Sequence, residues 1–221
     1  MIELCDVHFA YGQQDEILSG CSLALFEKQK LGVTGPIGSG KTTLLWVIVG
    51  LLRPRSGTII AFGKERVKES DFYEVRRRVG LLFQQVDDQL FCPTVIEELA
   101  FGPLNLGKSQ EEAWAIANEV LTELELEGYR WRCPYHLSAG EKRLIALASV
   151  FTMKPDVLLL DEPTAELDEK TRKRVTQIIA QLPQAMIIVS HDEDLLDSVA
   201  HARLVLQDGK LWDEDYSRRG G

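Results

Sequence analysis

Residues 31–52, LGVTGPIGSGKTTLLWVIVGLL, constrain the chain more than any other stretch. A short apolar strand runs into a glycine-rich turn, Gly35-Pro36-Ile37-Gly38-Ser39-Gly40-Lys41-Thr42-Thr43, and the turn opens an apolar helix. Each residue type has a chemical reason. Glycines let backbone N–H groups turn inward around phosphate oxygens, Lys41 offers a point charge to β and γ phosphates, and the Thr42 hydroxyl can ligate Mg²⁺. The competing reading is a glycine-rich turn with a solvated lysine, which the strand before it and the helix after it argue against.

Short apolar runs alternate with helical patterns elsewhere. Residues 79–83 (VGLLF), 156–161 (DVLLLD), 186–190 (MIIVS) and 202–209 (ARLVLQDG) read as strands. Several are apolar throughout, as in a parallel sheet covered on both faces, so the expectation is an α/β core. The opening MIELCDVHFAYG, with CSLALF and GTIIAFGK, reads as an antiparallel sheet beside that core. Between residues 95 and 152 the pattern turns helical: Ser109 and Glu112 form a capping box, followed by Ala113, Ile116, Ala117, Val120, Leu121 and Leu124 at helical spacing. The expected organisation is a single domain over 1–221, with the core and antiparallel sheet in about 1–86 and 153–221 and an inserted helical subdomain in about 87–152. The closing SRRGG reads as a frayed tail, in part a cloning remnant.

Composition excludes several function classes. A net charge of −9 tells against nucleic-acid binding through a broad basic face, while leaving room for a local phosphate cradle. Cys5, Cys21, Cys92 and Cys133 form no CxxC pair, so they read as reduced thiols of a cytosolic protein. No uncharged apolar run approaches the roughly 20 residues needed to span a bilayer. A membrane role would therefore require docking on a partner.

Three more motifs carry chemistry. The strand VLLLDEPT ends in Asp161 and Glu162, where one carboxylate can hold Mg²⁺ and its neighbour can orient or deprotonate an attacking water. His191, in IIVSHDEDLL, follows another apolar strand and is either a structural hydrogen-bonder or a γ-phosphate contact. The stretch HLSAGEKRLIAL is a second glycine-containing turn: Ser138 and Glu141 form a capping box, and Leu144, Leu147, Ala148 and Phe151 share one helical face. Read alone, it merely begins a helix.

The ordered set GPIGSGKTT, Phe83-Gln84, LSAGE, LLLDEPT, AELD and SHD resembles the nucleotide-binding subunit of ATP-binding-cassette (ABC) proteins over nearly the whole chain. The resemblance implies a RecA-like, mostly parallel P-loop core with an N-terminal antiparallel β subdomain and an inserted α-helical one. It implies ATP and Mg²⁺ as ligands, with Glu162 activating water, and Gln84 reaching both metal and water beside Thr42 and Asp161. Tyr11 would stack on adenine, and Asp168 would lie at a dimer interface. Two subunits face head to tail in this family, so the signature Ser138, Ala139, Gly140 and Glu141 of one would cap the γ-phosphate held by the other. The helix start offers an anion site consistent with this.

The segment LLFQQVDDQLFCPTVIEELAFGP further resembles the energy-coupling-factor importers, which include cobalt, nickel and biotin systems. That implies a second ATPase subunit, identical or paralogous, a transmembrane coupling subunit docking near Asp87 and Asp88, a substrate-binding membrane subunit, and a peripheral location on the cytoplasmic membrane face. The bland alternative makes Asp87 and Asp88 a solvated turn. Ala139 replaces the usual second signature glycine, where a positive φ would cost about 1 kcal/mol. Gln85-Val86 stands where the group often has Asn-Pro. The chain ends soon after LQDGK, without the extension many of these ATPases use for dimerisation, which fits a short member or a truncated chain. Mechanical DNA-repair ATPases split the P-loop from the signature by a long coiled coil, and ribosome-associated relatives carry two cassettes, so neither fits. A small-molecule kinase would not explain the signature turn, which leaves the nucleotide-binding subunit of another ABC transporter class, an exporter included, as the main alternative.

Overall fold

The computed structural model describes residues 1–214, so the expected C-terminal tail lies outside the described residues. The chain forms two sheets. Strands β1 (Ile2–Phe9), β2 (Leu18–Leu25), β4 (Ser56–Ala61) and β5 (Lys64–Glu65) form an antiparallel sheet in the order β2-β1-β4-β5. The larger sheet has the order β10-β9-β3-β8-β7-β6, from β3 (Lys30–Thr34), β6 (Val79–Leu82), β7 (Val157–Asp161), β8 (Ala185–Val189), β9 (Ala202–Gln207) and β10 (Lys210–Asp213). Five of its strands run parallel, and β10 pairs antiparallel with β9.

The apolar runs of β7 and β8 have a simple cause: every residue in both strands is buried. Leu158, Leu160, Met186 and Ile188 join one core with the helices α3 (Val95–Asn105), α4 (Gln110–Glu123) and α5 (Ala139–Phe151). Their alternating neighbours Val157, Leu159, Ile187 and Val189 join the other core, with the antiparallel sheet and helix α1 (Lys41–Ile48). Alternation in a strand sends successive side chains to opposite faces, so two covered faces leave a polar residue only at the strand end, where Asp161 sits.

Burial of helix α5 extends beyond the face shared by Leu144, Leu147 and Ala148, because Arg143, Ile145, Ala146 and Val150 are buried as well. It packs against β6 as well as α3 and α4, so nearly its whole circumference meets protein. The run 202–209 is strand β9 up to Gln207. Asp208 (φ 49°) and Gly209 (φ 72°) make a two-residue turn that folds β10 back on β9, as expected of an Asp-Gly pair.

The parallel arrangement aligns the C-terminal ends of β3, β8, β7 and β6 along one edge. The glycine-rich turn follows β3, Asp161 ends β7, Ser190 and His191 follow β8, and Phe83 and Gln84 follow β6. Crevices at such edges are where open α/β sheets bind ligands.

Candidate active site

A cavity of about 860 Å³ opens at that edge, walled by Gly38, Gly40, Lys41, Thr42, Gln84, Asp161, Glu162 and His191 among others. Its floor is the turn after β3. Gly35 has φ 143°, and a Cβ there would sit 2.3 Å from the Leu206 carbonyl oxygen; Gly40 has φ 98°, and its Cβ would meet Ile17 at 2.5 Å. Only glycine satisfies both the backbone and the space. Gly40 is also the N-cap of α1 and no side chain caps that helix, so its first N–H groups face the cavity without an intrahelical acceptor.

Lys41 is 8% exposed, and its ammonium donates to the Gly35 carbonyl at 2.8 Å and the Pro36 carbonyl at 2.9 Å. Burial pushes its pKa down, while the Glu162 and Asp161 carboxylates pull the other way. The Ser39 hydroxyl is buried with no hydrogen-bond partner. A buried ammonium, uncapped N–H groups and an orphaned hydroxyl in one turn suit a polyphosphate.

The Thr42 hydroxyl donates to Asp161 Oδ2 at 2.6 Å, joining the helix start to the end of β7. Asp161 is 2% exposed, and its carboxyl is pushed up by burial, an effect the Thr42 hydrogen bond opposes. Among the described residues no cluster of three or more His, Cys, Asp or Glu could hold a metal. The Thr42 hydroxyl and Asp161 carboxylate, with Gln84 on the same cavity wall, are oxygen donors of the type that suits Mg²⁺ bound together with phosphates.

Glu162 adopts φ 49°, at the edge of the left-handed region that few non-glycine residues occupy. Its N–H donates to Val189 O at 2.8 Å, which extends the β7–β8 ladder by one residue. One carboxylate oxygen accepts from the His191 N–H at 3.2 Å and the Ser190 hydroxyl at 3.4 Å, and the other lies 3.6 Å from His191 Nε2. The carboxylate is thus aimed at the cavity by backbone strain and by two donors from the residues that follow β8. Such a group can take a proton from a bound water.

The remaining expected residues lie apart from this wall. The Tyr11 ring meets Phe9 edge-on at 4.9 Å, and its hydroxyl is 3.2 Å from Thr43 Oγ1, which seats it beside the turn. Ser138 caps α5 through the expected box: its Oγ accepts from Glu141 N at 3.3 Å and its N–H donates to Glu141 at 2.7 Å. Ala139 begins the right-handed helix and has no positive φ, so the strain expected from replacing glycine does not arise. Gly140 lies against Thr171, where a Cβ would come within 3.1 Å of the threonine methyl. Asp168 caps α6 (Glu169–Gln181) and also accepts from the Thr171 hydroxyl at 2.6 Å, so the signature turn and Asp168 are near neighbours.

Asp87 is not a free turn residue, since Lys142 of α5 pairs with it at 2.6 Å. Asp88 borders a second groove, of about 340 Å³, with Leu51, Phe83, Phe91 and Phe101 in its wall. Arg143 escaped the sequence reading altogether. It is a buried guanidinium donating to the Phe83 carbonyl at 3.0 Å, whereas in the sequence it is only the last of three charges, Glu141, Lys142 and Arg143, before the apolar run LIALASV. Burial pushes its pKa down against the opposing pull of Glu166, Asp161 and Glu162.

The family model described as "ABC transporter" matches residues 18–165. The chain belongs to the ABC transporter family. The "Energy-coupling factor transporter ATP-binding protein EcfA" of Methanothermobacter thermautotrophicus is 39% identical over 216 residues, covering 96% of this chain and 69% of the relative. Among solved structures, cbiO1 from Clostridium perfringens, described as part of the ABC transporter complex cbiONQ, superposes with a TM-score of 0.86 at 26% identity over 99% of this chain and 91% of that one. The ABC cassette MJ0796, solved as a dimer in a post-hydrolysis state bound to ADP and Pi, gives 0.85 at 26% identity over 96% of each chain. The chain is therefore an ABC ATPase, a nucleotide-binding α/β cassette with a parallel core. No helix among the described residues is long and apolar enough to cross a membrane.

Proposed function

We propose that this ABC ATPase energises an importer of the energy-coupling-factor type, taking up a transition metal ion or a vitamin, from the cytoplasmic face of the membrane. The observation that carries the catalytic half is the convergence of Lys41, the Thr42–Asp161 pair and the strained Glu162 on one cavity. Mg-ATP enters with its phosphates on the N–H groups of the turn and α1, and Lys41 exchanges the Gly35 and Pro36 carbonyls for β and γ phosphate oxygens. Thr42, Asp161 and Gln84 would hold Mg²⁺, whose charge offsets that developing on the transferring phosphoryl group. Glu162 takes a proton from the attacking water, whose oxygen bonds to the γ-phosphorus as the bond to ADP breaks, giving ADP and phosphate. His191, on the same cavity wall, contacts the γ-phosphate. Tyr11 stacks on adenine, where its hydroxyl bond to Thr43 would steady it.

Hydrolysis requires two subunits head to tail, the Ser138–Glu141 turn of one closing over the ATP of the other, with Asp168 at the interface. In this reading residues of about 87–152 move as a helical subdomain. Its groove, with Phe83, Phe91 and Phe101 and the acids Asp87 and Asp88 nearby, takes the transmembrane coupling subunit, apolar side chains filling the groove and cations meeting the acids. A substrate-binding membrane subunit completes the assembly. Support for the importer class comes from the similarity to EcfA and cbiO1. The test is purification of the intact complex from detergent-solubilised membranes with its subunits identified. Transmembrane coupling and substrate-binding subunits are expected, and recovery of DNA or ribosomes instead would overturn the transport reading.

A further inference from the structure

Strand β6 ends at Leu82 and the next helical turn begins at Val86, so residues 83–85 have no sheet ladder to fix them. Yet Gln84, in this gap, forms part of the cavity wall. The backbone just before it is held from both sides. The Phe83 N–H donates to Gln89 Oε1 at 3.2 Å, and the Phe83 carbonyl accepts from Arg143 Nη1 at 3.0 Å. Gln89 in turn donates through Nε2 to Ala146 O at 3.3 Å and Ser149 Oγ at 3.4 Å. Both tethers end on α5, the helix that Ser138 caps.

We infer that Arg143 and Gln89 clamp the Phe83–Gln84 peptide to α5, making Arg143 a positioning residue for Gln84 although it does not line the cavity. A buried guanidinium costs more to desolvate than an apolar side chain of its size, so packing alone is a poor reason for an arginine here. Its planar fork, rigid and permanently charged, suits holding one carbonyl in place. The same clamp links two sites. Phe83, Gln89 and Ser149 border the apolar groove, so a shift of α5 or of the groove wall would move Gln84 in the cavity. This inference rests on the reading of Gln84 as a residue of the hydrolytic site.

The test is steady-state Mg-ATP hydrolysis by the full chain, with ATP affinity measured by calorimetry and melting followed in parallel. Arg143→Met, Arg143→Lys, Gln84→Ala and the Arg143→Met/Gln84→Ala double variant form a cycle. Arg143→Met is expected to lower kcat about tenfold with ATP affinity within about twofold of the parent, and Arg143→Lys to recover part of the loss. In the Gln84→Ala background the Arg143→Met change should cost nothing further. Equal losses in both backgrounds, or unchanged kcat in Arg143→Met, would overturn the clamp. If Arg143→Met fails to fold, Gln89→Leu replaces it in the same cycle with the same two readings. Full kcat in Gln84→Ala alone would remove Gln84 from the site and the clamp's purpose with it. A slow Gln84→Ala with additive losses would remove the clamp only.

Discussion

Lys142 Nζ lies 2.6 Å from Asp87 Oδ1, joining side chains 55 residues apart. The pair ties the helix that Ser138 caps to the acidic segment after Gln84. With the Asp87 side chain 74% exposed, the pair contributes at most about 1 kcal/mol of stability. Replacing Asp87 and Asp88 together by alanine should therefore leave melting and ATP turnover of the isolated chain near the parent. Assembly with the membrane subunits, read by co-purification and uptake, should suffer. Lys142→Ala separates the effects, because it breaks the pair but keeps both acids for the partner's cations. Full uptake by the Asp87→Ala/Asp88→Ala variant would end the docking role.

Ser138 and Ser109 cap their helices in the same way. Each hydroxyl accepts from the backbone N–H three residues on, at 3.3 and 3.2 Å, and each N–H is returned a carboxylate at 2.7 and 2.9 Å. Ser138→Ala and Ser109→Ala should then cost similar stability, about 1 kcal/mol each in chemical denaturation. Only the first should slow hydrolysis. Equal activity of the two variants would reduce Ser138 to a helix cap.

The Ser138 cap also has a pH signature. The Ser138 N–H, followed by its hydroxyl and Tyr129, holds the Glu141 carboxyl below its ordinary value of 4.5. The unfolded chain takes up this proton first, so the contribution to stability is complete above that ordinary value and is lost as pH falls through the depressed native one. Glu141→Gln should flatten the stability profile in that acid window and nowhere else. A profile parallel to the parent's throughout would show that the carboxylate's charge is not what matters.

Much of this arrangement was legible in the sequence because it is local. A capping box spans four residues, and a strand buried on both faces announces itself by its own composition, as DVLLLD does. The Thr42–Asp161 bond was foreseeable because both residues belonged to motifs whose chemistry required a common ligand. What stayed hidden was tertiary. Periodicity marks the face of Leu144, Leu147 and Ala148 but not the burial of Ile145, Ala146 and Val150, because it reports an amphipathic surface helix, whereas α5 is surrounded. Arg143 was hidden for the same reason: its partner is a backbone carbonyl 60 residues away, which leaves no mark in the sequence. Pairing of Asp87 with Lys142 is likewise set by packing of the turn on α5.

Glu162→Gln keeps the size of the side chain and its acceptor for the His191 N–H while removing the charge that takes up a proton. Turnover should fall by orders of magnitude, with Mg-ATP affinity retained and an ATP-bound dimer accumulating in size-exclusion chromatography. Near-normal turnover would refute Glu162 as the base. Weak ATP binding with collapsed secondary structure would instead mean that the positive-φ turn depends on the carboxylate.

Whether the Ser138 turn acts on the partner's ATP can be decided by mixing two inactive chains. A Lys41→Ala chain lacks the charge that meets the phosphates. A Ser138→Arg chain places a bulky cation where the turn must close. In a heterodimer one site combines both defects, but the other joins the intact phosphate loop of the Ser138→Arg chain to the intact turn of the Lys41→Ala chain. Restoring one preorganised donor to a transferring phosphoryl group is worth about 3 kcal/mol, roughly two orders of magnitude in rate at that site. Single-turnover hydrolysis by the mixture should exceed the sum of the separate variants once mass spectrometry confirms the heterodimer. Confirmed heterodimer without a gain would argue for a turn that works within its own chain or for obligatory cooperation of both sites, and a Lys41→Ala/parent heterodimer separates the two: half the parent rate excludes cooperation. Fully active Ser138→Arg protein would leave the turn as the start of α5 and nothing more.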